Sequence, residues 1–175
     1  MQTSPFKSAV NYGAIYALGC FAVFITVYWM GFNPIGEASV FAIWIPPLIL
    51  YLSIRYYRNN LNGGVMTFGY GMQTGMLTAA SGGLLYALMV YIFCKVVDPS
   101  IIDEYKEQLL NNLEQTEQMM IGILGEDMYN KSVEDLKNIN LSSQIMSEYM
   151  SKLFSGIIYS LIASAILKRK PAASL

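Results

Sequence analysis

The sequence predicts an all-α, polytopic membrane protein with four transmembrane helices and an extracytoplasmic helical hairpin inserted between the third helix and the fourth. Two observations lead to this fold class. Hydrophobic residues make up 54% of the 175-residue chain and charged residues only 13%, about half the charged share of a soluble domain. The 12 acidic residues are also sorted along the chain, because all except Glu37 lie between Asp98 and Glu148.

Four apolar runs account for the predicted transmembrane helices. A helix needs about 20 residues to cross the hydrocarbon core, and the first and third runs reach that length. The second and fourth runs are shorter, so we expect aromatic or lysine side chains at their ends to reach the headgroup region. The predicted domains are 1–97, with helices at about 9–32, 38–54 and 68–95; the acidic region 98–151; and 152–175, which holds the fourth helix and a basic tail.

The basic residues predict the orientation of the chain. Cytoplasmic segments of membrane proteins are enriched in Lys and Arg. Six basic residues lie near the N-terminus, after the second run and in the tail, with no acidic residue near them: Lys7, Arg55, Arg58, Lys168, Arg169 and Lys170. A chain with four spans brings these three segments to one side. We therefore expect both termini in the cytoplasm, with the basic residues anchoring the protein or contacting anionic lipid.

The third predicted helix carries small residues at every fourth position. They are Gly71, Gly75, Ala79, Gly83 and Ala87. Helices in lipid associate through van der Waals contact, and small residues allow their backbones to approach closely. The series therefore predicts a packing face, either against other helices of the same chain or against a second copy of the protein.

The acidic region 98–151 has the periodicity of amphipathic helices. Apolar residues recur on one helical face from Ile102 to Ile123, and Gly125 is a plausible helix end. A second, weaker helix is expected over 126–138. Asn140 or Ser142 can cap a third run that continues into the last membrane helix. We expect a hairpin whose apolar stripe packs on itself, on a copy of itself or on a partner.

Residues of the kinds that support catalysis or metal binding are scarce. The chain has no histidine and two cysteines, Cys20 and Cys94, which lie at depths too different for a disulfide. It contains no phosphate-binding loop, nucleophile elbow or metal motif. We therefore predict no catalytic, cofactor-binding or metal-binding residue, no cofactor and no nucleic-acid partner.

These observations favour a non-enzymatic membrane protein, a scaffold or accessory subunit that acts through helix packing and its outer hairpin. Its expected partners are the lipid bilayer and, through 98–151, a second copy or another membrane protein. The alternative is a small channel or transporter with a polar path along Gln73, Thr78, Ser81 and a kink at Pro46-Pro47. No charged residue is expected in the central part of a membrane helix, which argues against a proton-coupled pump.

The loop Ile54-Arg55-Tyr56-Tyr57-Arg58, followed by Gly63-Gly64 and Thr67-Phe68-Gly69, resembles a bacterial membrane-protein family. This family is catalogued as domain of unknown function 4199, and the resemblance covers nearly the whole chain. It implies a small four-helix protein of the bacterial inner membrane with an acidic extracytoplasmic insert. The family has no established activity, so the resemblance implies no site residue.

Overall fold

The computed structural model describes residues 4–36 and 40–169, and these residues form seven α-helices. The helices are α1 (Phe6–Trp29), α2 (Ile45–Tyr56), α3 (Phe68–Val96), α4 (Ile101–Gln115), α5 (Glu117–Leu124), α6 (Glu126–Lys137) and α7 (Leu141–Leu167). The predicted all-α class is confirmed. Glu37, Lys170 and the predicted start of the second span at residue 38 lie outside the described residues.

Three of these helices, α1, α3 and α7, are long and apolar enough to cross a membrane, with 24, 29 and 27 residues. They contain the first, third and fourth apolar runs of the sequence. The helix α2 has 12 residues and reaches about 18 Å at ~1.5 Å per residue. A π-helical turn, Tyr57–Leu61, follows it directly.

The two prolines of the second run lie at the start of α2. Pro46 and Pro47 occupy its first turn, where a helix does not use the backbone N–H that proline lacks. The prolines therefore begin α2 and do not lie in its middle. Val40 and Phe41 are helical, residues 42–44 form turns and α2 begins at Ile45, so the second apolar run is interrupted just before the position of the predicted kink.

The four helices α1, α2, α3 and α7 pack into one bundle, in which α3 contacts the other three. The packing is close because glycines face small side chains. A Cβ atom added to Gly71 would lie 2.7 Å from the Ser164 hydroxyl oxygen, and one added to Gly156 would lie 2.5 Å from Ala79 Cβ. On the opposite side of α3, Gly82 contacts the Tyr16 ring of α1.

Aromatic rings close the α1–α3 interface at the end next to the acidic region. The ring centroids of Phe24 and Phe93 are 5.5 Å apart, and those of Tyr28 and Phe93 are 5.1 Å apart, in edge-to-face geometry. The two helices therefore run in the same direction, with their C-terminal ends together. This end of the bundle continues directly into the acidic region.

The opposite end of the bundle is held by the basic segments. Met66 and Arg169 exchange two backbone hydrogen bonds of 2.9 Å, which join the loop before α3 to the end of α7. Arg58 Nη1 donates a hydrogen bond of 3.2 Å to the carbonyl of Leu167, at the last turn of α7. A guanidinium at this place also interacts favourably with the helix dipole.

The acidic region contains three helices, α4 to α6, before α7 begins. The predicted continuous helix from residue 102 to 123 is interrupted, because α4 ends at Gln115 and the Thr116 hydroxyl bonds the carbonyls of Asn112 and Leu113. The predicted stop at Gly125 is confirmed by its positive φ of 84°. Asn140 caps α7 with a reciprocal pair of bonds to Ser143, and α7 then runs unbroken to Leu167.

Candidate functional site: a charged pair beside a cavity

Two charged side chains of α7 lie within the helix bundle. The α3–α7 contacts fix an antiparallel register in which Gly83, near the middle of α3, faces Lys152; a Cβ on Gly83 would lie 3.7 Å from Lys152 Cβ. Glu148 precedes Lys152 by one helical turn. This corrects the expectation that no charge lies in the central part of a membrane helix. Residues 142–152 are polar like the acidic region before them, but they are part of the long helix α7.

Glu148 does not pair with Lys152, although these residue types four apart on a helix usually attract each other. Within residues 4–36 and 40–169, the one ion pair joins Lys106 to Asp103. Lys152 Nζ instead lies 4.5 Å from the centroid of the Tyr86 ring, which is cation–π geometry. The Glu148 Oε1 atom is buried and has no hydrogen-bond partner among the described residues.

A cavity of about 260 Å³ lies between the start of α2 and residues 148–159 of α7. The side chains that line it are Ala42, Ile43 and Pro46 on one wall and Glu148, Ser151, Lys152, Ser155 and Tyr159 on the other. The wall from α2 is apolar, whereas the wall from α7 carries both charges and three hydroxyl groups. A small polar molecule in this cavity would therefore meet an acceptor and a donor on the same wall.

Further polar groups surround the charged pair on the side away from the cavity. The Tyr16 hydroxyl of α1 is buried and has no partner among the described residues. Cys20 and Cys94 are buried free thiols, which confirms that they form no disulfide with each other. The field of Glu148 also reaches the acidic region: burial raises the pKa of the Tyr105 hydroxyl, the charge of Glu148 raises it further, and a bond from Gln144 lowers it.

The site holds hydrogen-bonding groups of both kinds. The Glu148 carboxylate accepts hydrogen bonds, the Lys152 ammonium donates them, and the hydroxyls do either. Among the described residues, no group of three or more His, Cys, Asp or Glu side chains is placed to hold a metal ion. The arrangement is therefore suited to recognising a small charged molecule.

The residues predicted to form a packing face lie where α3 meets α7. Gly71 faces Ser164, Gly75 faces Ser160, Ala79 faces Gly156, Gly83 faces Tyr149 and Lys152, and Ala87 is buried in the core. All five are thus used inside a single chain. Whether a second copy also packs on α3 stays a prediction.

The residues predicted to anchor the chain lie at one end of the bundle. Arg55, Lys168 and Arg169 are exposed there, and Arg58 is half-buried against the end of α7. Lys170 is outside the described residues. Contact of these side chains with anionic lipid stays a prediction.

The three long apolar helices define a helical protein of the multi-pass membrane class. The chain belongs to the family described as protein of unknown function (DUF4199), whose family model matches residues 11–169. The match includes all of α2 to α7 and therefore both Glu148 and Lys152. No curated protein and no solved structure matches the chain.

Proposed function

We infer that the protein is a non-enzymatic membrane protein with four membrane-spanning segments that acts as a scaffold or accessory subunit. The observation that carries this inference is the exposed apolar face of α5, a helix that buries none of its residues. Ile123 is 72% exposed and Met119 is 68% exposed, and they lie one turn apart on one helical face. Leu124 and Met128 are exposed beside them.

An uncovered apolar face on helices rich in acidic residues is best explained by a contact. Exposed apolar patches on otherwise polar surfaces commonly mark sites of protein association. The neighbouring helices α4 and α6 carry acidic residues in their first turns, such as Glu104 and Asp127, which keep the rest of the region in water. A partner with an apolar surface, in or beside the same membrane, fits the face of α5.

A fourth span is supported by the surface of α2 and the segment before it. Val40, Trp44 and Leu48 are all exposed and apolar, as expected for a segment that contacts lipid. The other side of α2 packs on α1, α3 and α7. Four spans place the basic segments together in the cytoplasm and the acidic region on the outer side of the bacterial inner membrane that the family resemblance implies.

The interior of the bundle supports packing rather than conduction. Of the residues expected along a polar path, Gln73 is exposed on the outer surface of α3. Thr78 Oγ1 is 2.8 Å from the Thr74 carbonyl, and Ser81 Oγ donates to the Leu77 carbonyl over 2.7 Å. Both hydroxyl groups thus form hydrogen bonds to backbone carbonyls within the bundle. A channel or transporter would need them free to face a passing solute.

The test is capture of a partner through α5. The native chain is crosslinked in its own membranes and purified in mild detergent, beside a double variant, Met119→Ser with Ile123→Ser. We expect a defined partner or a second copy with the native chain and its loss with the double variant. The unfolding temperature should not change, because these side chains are exposed.

Val97→Ser provides the matched control, since Val97 is an exposed apolar residue outside α5, and this variant should keep the partner. Retention of every partner by the double variant would show that α5 is not the contact. A native chain that is recovered alone after crosslinking would show that no stable complex forms.

A further inference from the structure

We propose that the cavity between α2 and α7 binds a small zwitterion, a molecule with an ammonium group close to an acidic group. Glu148 would receive the ammonium group, and Lys152 would face the acidic group. The site lies between α2 and α7 and shares no residue with the exposed face of α5. It does not rest on the scaffold function, and the two proposals can fail separately.

The need for a cation at Glu148 follows from its surroundings. One carboxylate oxygen is buried and has no hydrogen-bond partner in the part of the chain that the structure describes. A buried charge that is neither paired nor hydrogen-bonded is strongly destabilising. Lys152, the nearest available cation along α7, is directed to the Tyr86 ring instead. An ammonium group in the cavity would supply both the charge and the hydrogen-bond donors that this carboxylate lacks.

The need for an acidic group follows from the position of Lys152 on the same wall. Side chains four apart on a helix have Cβ atoms about 6 Å apart, so a ligand that reaches Glu148 also meets the field of Lys152. A simple amine would be repelled there, and a simple acid would be repelled by Glu148. A zwitterion satisfies both charges. Its acidic group would form a charge-assisted bond that is stronger than the contact with Tyr86.

The size and the walls of the cavity limit the ligand further. Its volume of about 260 Å³ is smaller than the roughly 300–1,000 Å³ of pockets for drug-sized ligands. An amino acid or the headgroup of phosphatidylethanolamine suits this space. Ser151 and Ser155 add hydroxyl groups, and Ile43, which is exposed at the rim, leaves an apolar approach. A lipid headgroup and a free amino acid present the same ammonium and acidic groups.

The experiment compares matched probes on the purified full chain. For the free ligand, thermal unfolding is followed by tryptophan fluorescence with L-alanine and with N-acetyl-L-alanine, which lacks the ammonium group. For the lipid, native mass spectrometry counts phosphatidylethanolamine and phosphatidylglycerol retained from mixed bilayers. We expect L-alanine, phosphatidylethanolamine or both to bind, and the two probes without an ammonium group to be ineffective. Stabilisation by L-alanine would identify a free amino acid as the ligand, and retention of phosphatidylethanolamine would identify a lipid headgroup.

Variants locate the binding in the cavity. Glu148→Gln and Lys152→Met keep the side-chain size and should each weaken binding at least about tenfold. Glu134→Gln, at an exposed position of α6, should bind as the native chain does. The proposal is overturned if neither zwitterion binds, if the probes without an ammonium group bind equally well, or if Glu148→Gln binds normally. If a variant does not fold, the comparison of probes with and without an ammonium group on the native chain still tests the proposal.

Discussion

The hydroxyl groups of Ser53 and Thr78 lie 2.8 Å apart and join α2 to α3 inside the bundle. Ser8 of α1 extends the connection, because its hydroxyl donates to the Ser53 carbonyl over 2.9 Å. All three residues are buried. A polar group in a membrane interior has no water to bond. This connection between three helices therefore helps to hold α2 in place, because α2 is short and packs on its neighbours over less length than the other helices of the bundle do.

Replacement of Thr78 by Val is expected to lower the free energy of unfolding by about 1–3 kcal/mol, because it leaves the buried Ser53 hydroxyl without this bond. Val has nearly the shape of Thr, so the change removes mainly the hydroxyl. Thr26→Val is the control: the Thr26 hydroxyl is exposed and bonds the Ala22 carbonyl of its own helix over 2.8 Å. Unfolding in detergent measures both. Equal losses of stability would show that the connection between helices adds nothing.

The packing face of α3 yields a graded prediction for glycine substitutions. Gly75→Ala should destabilise the chain by about 1–3 kcal/mol through overpacking, because the added Cβ would lie 2.6 Å from Ser160 Cβ and 3.1 Å from Ile54 Cδ1. Gly83→Ala should cost less, since its added Cβ would lie 3.3 Å from the Tyr149 ring, which can shift.

The control for this series is Gly69→Ala, on the same helix. Among the described residues, no atom lies within 4 Å of a Cβ added at Gly69. Ala favours a helix over Gly by about 0.5–1 kcal/mol. This variant should be as stable as the native chain or slightly more so. A Gly69 variant as unstable as the Gly75 variant would attribute the effect to the helix itself and not to its contact with α7.

The sequence predicted the packing face of α3 and the small residues of the last apolar run, but not the two charged residues on the same face of α7. Gly156, Ser160 and Ser164 repeat every fourth position within the last apolar run. The same spacing, continued toward the N-terminus, reaches Lys152 and Glu148. That signal was present in the sequence. Mean hydropathy does not reveal this signal. Only one face of this part of α7 packs on α3, and the charged residues make the mean hydropathy of the segment polar.

The structure of the second apolar run depended on position more than on composition. A proline pair breaks a helix when it lies inside one and begins a helix when it lies in the first turn. The apolar run alone does not distinguish these cases. The start of α2 at Ile45, directly after the turns at 42–44, decides which of them applies to Pro46 and Pro47.

Asp98 is expected to make part of the stability dependent on pH. The Ser100 hydroxyl, 2.6 Å away, lowers the pKa of Asp98 below its ordinary value of 3.8, and the Tyr28 hydroxyl at 3.0 Å lowers it further. A lowered pKa means that the folded state favours the carboxylate. The resulting stability is present above pH 3.8 and is lost as the pH falls through the folded-state pKa.

The measurement compares the native chain with Asp98→Asn in unfolding experiments from pH 6 down to about pH 3, across the ordinary carboxyl range. The native chain should be the more stable of the two at pH 6, and the difference should shrink toward the acid end. Asp103→Asn is the control, because the Asp103 carboxylate is an exposed acceptor outside this cluster. A constant difference between native and Asp98→Asn would contradict the assignment.

The predicted orientation of the chain can be tested with introduced cysteines, because it determines which of them a membrane-impermeant reagent can reach. The acidic region needs one introduced cysteine. Gly125 is unsuitable for it, because its φ of 84° disfavours any residue with a side chain. Glu126, the exposed first residue of α6, is the better choice. Glu126→Cys should label from outside intact cells, whereas Asn60→Cys, in the turn after α2, should label only after the cells are opened. The natural Cys20 and Cys94 are buried, so the native chain gives the background. Labelling of Asn60→Cys but not of Glu126→Cys in intact cells would reverse the orientation and place the acidic helices in the cytoplasm.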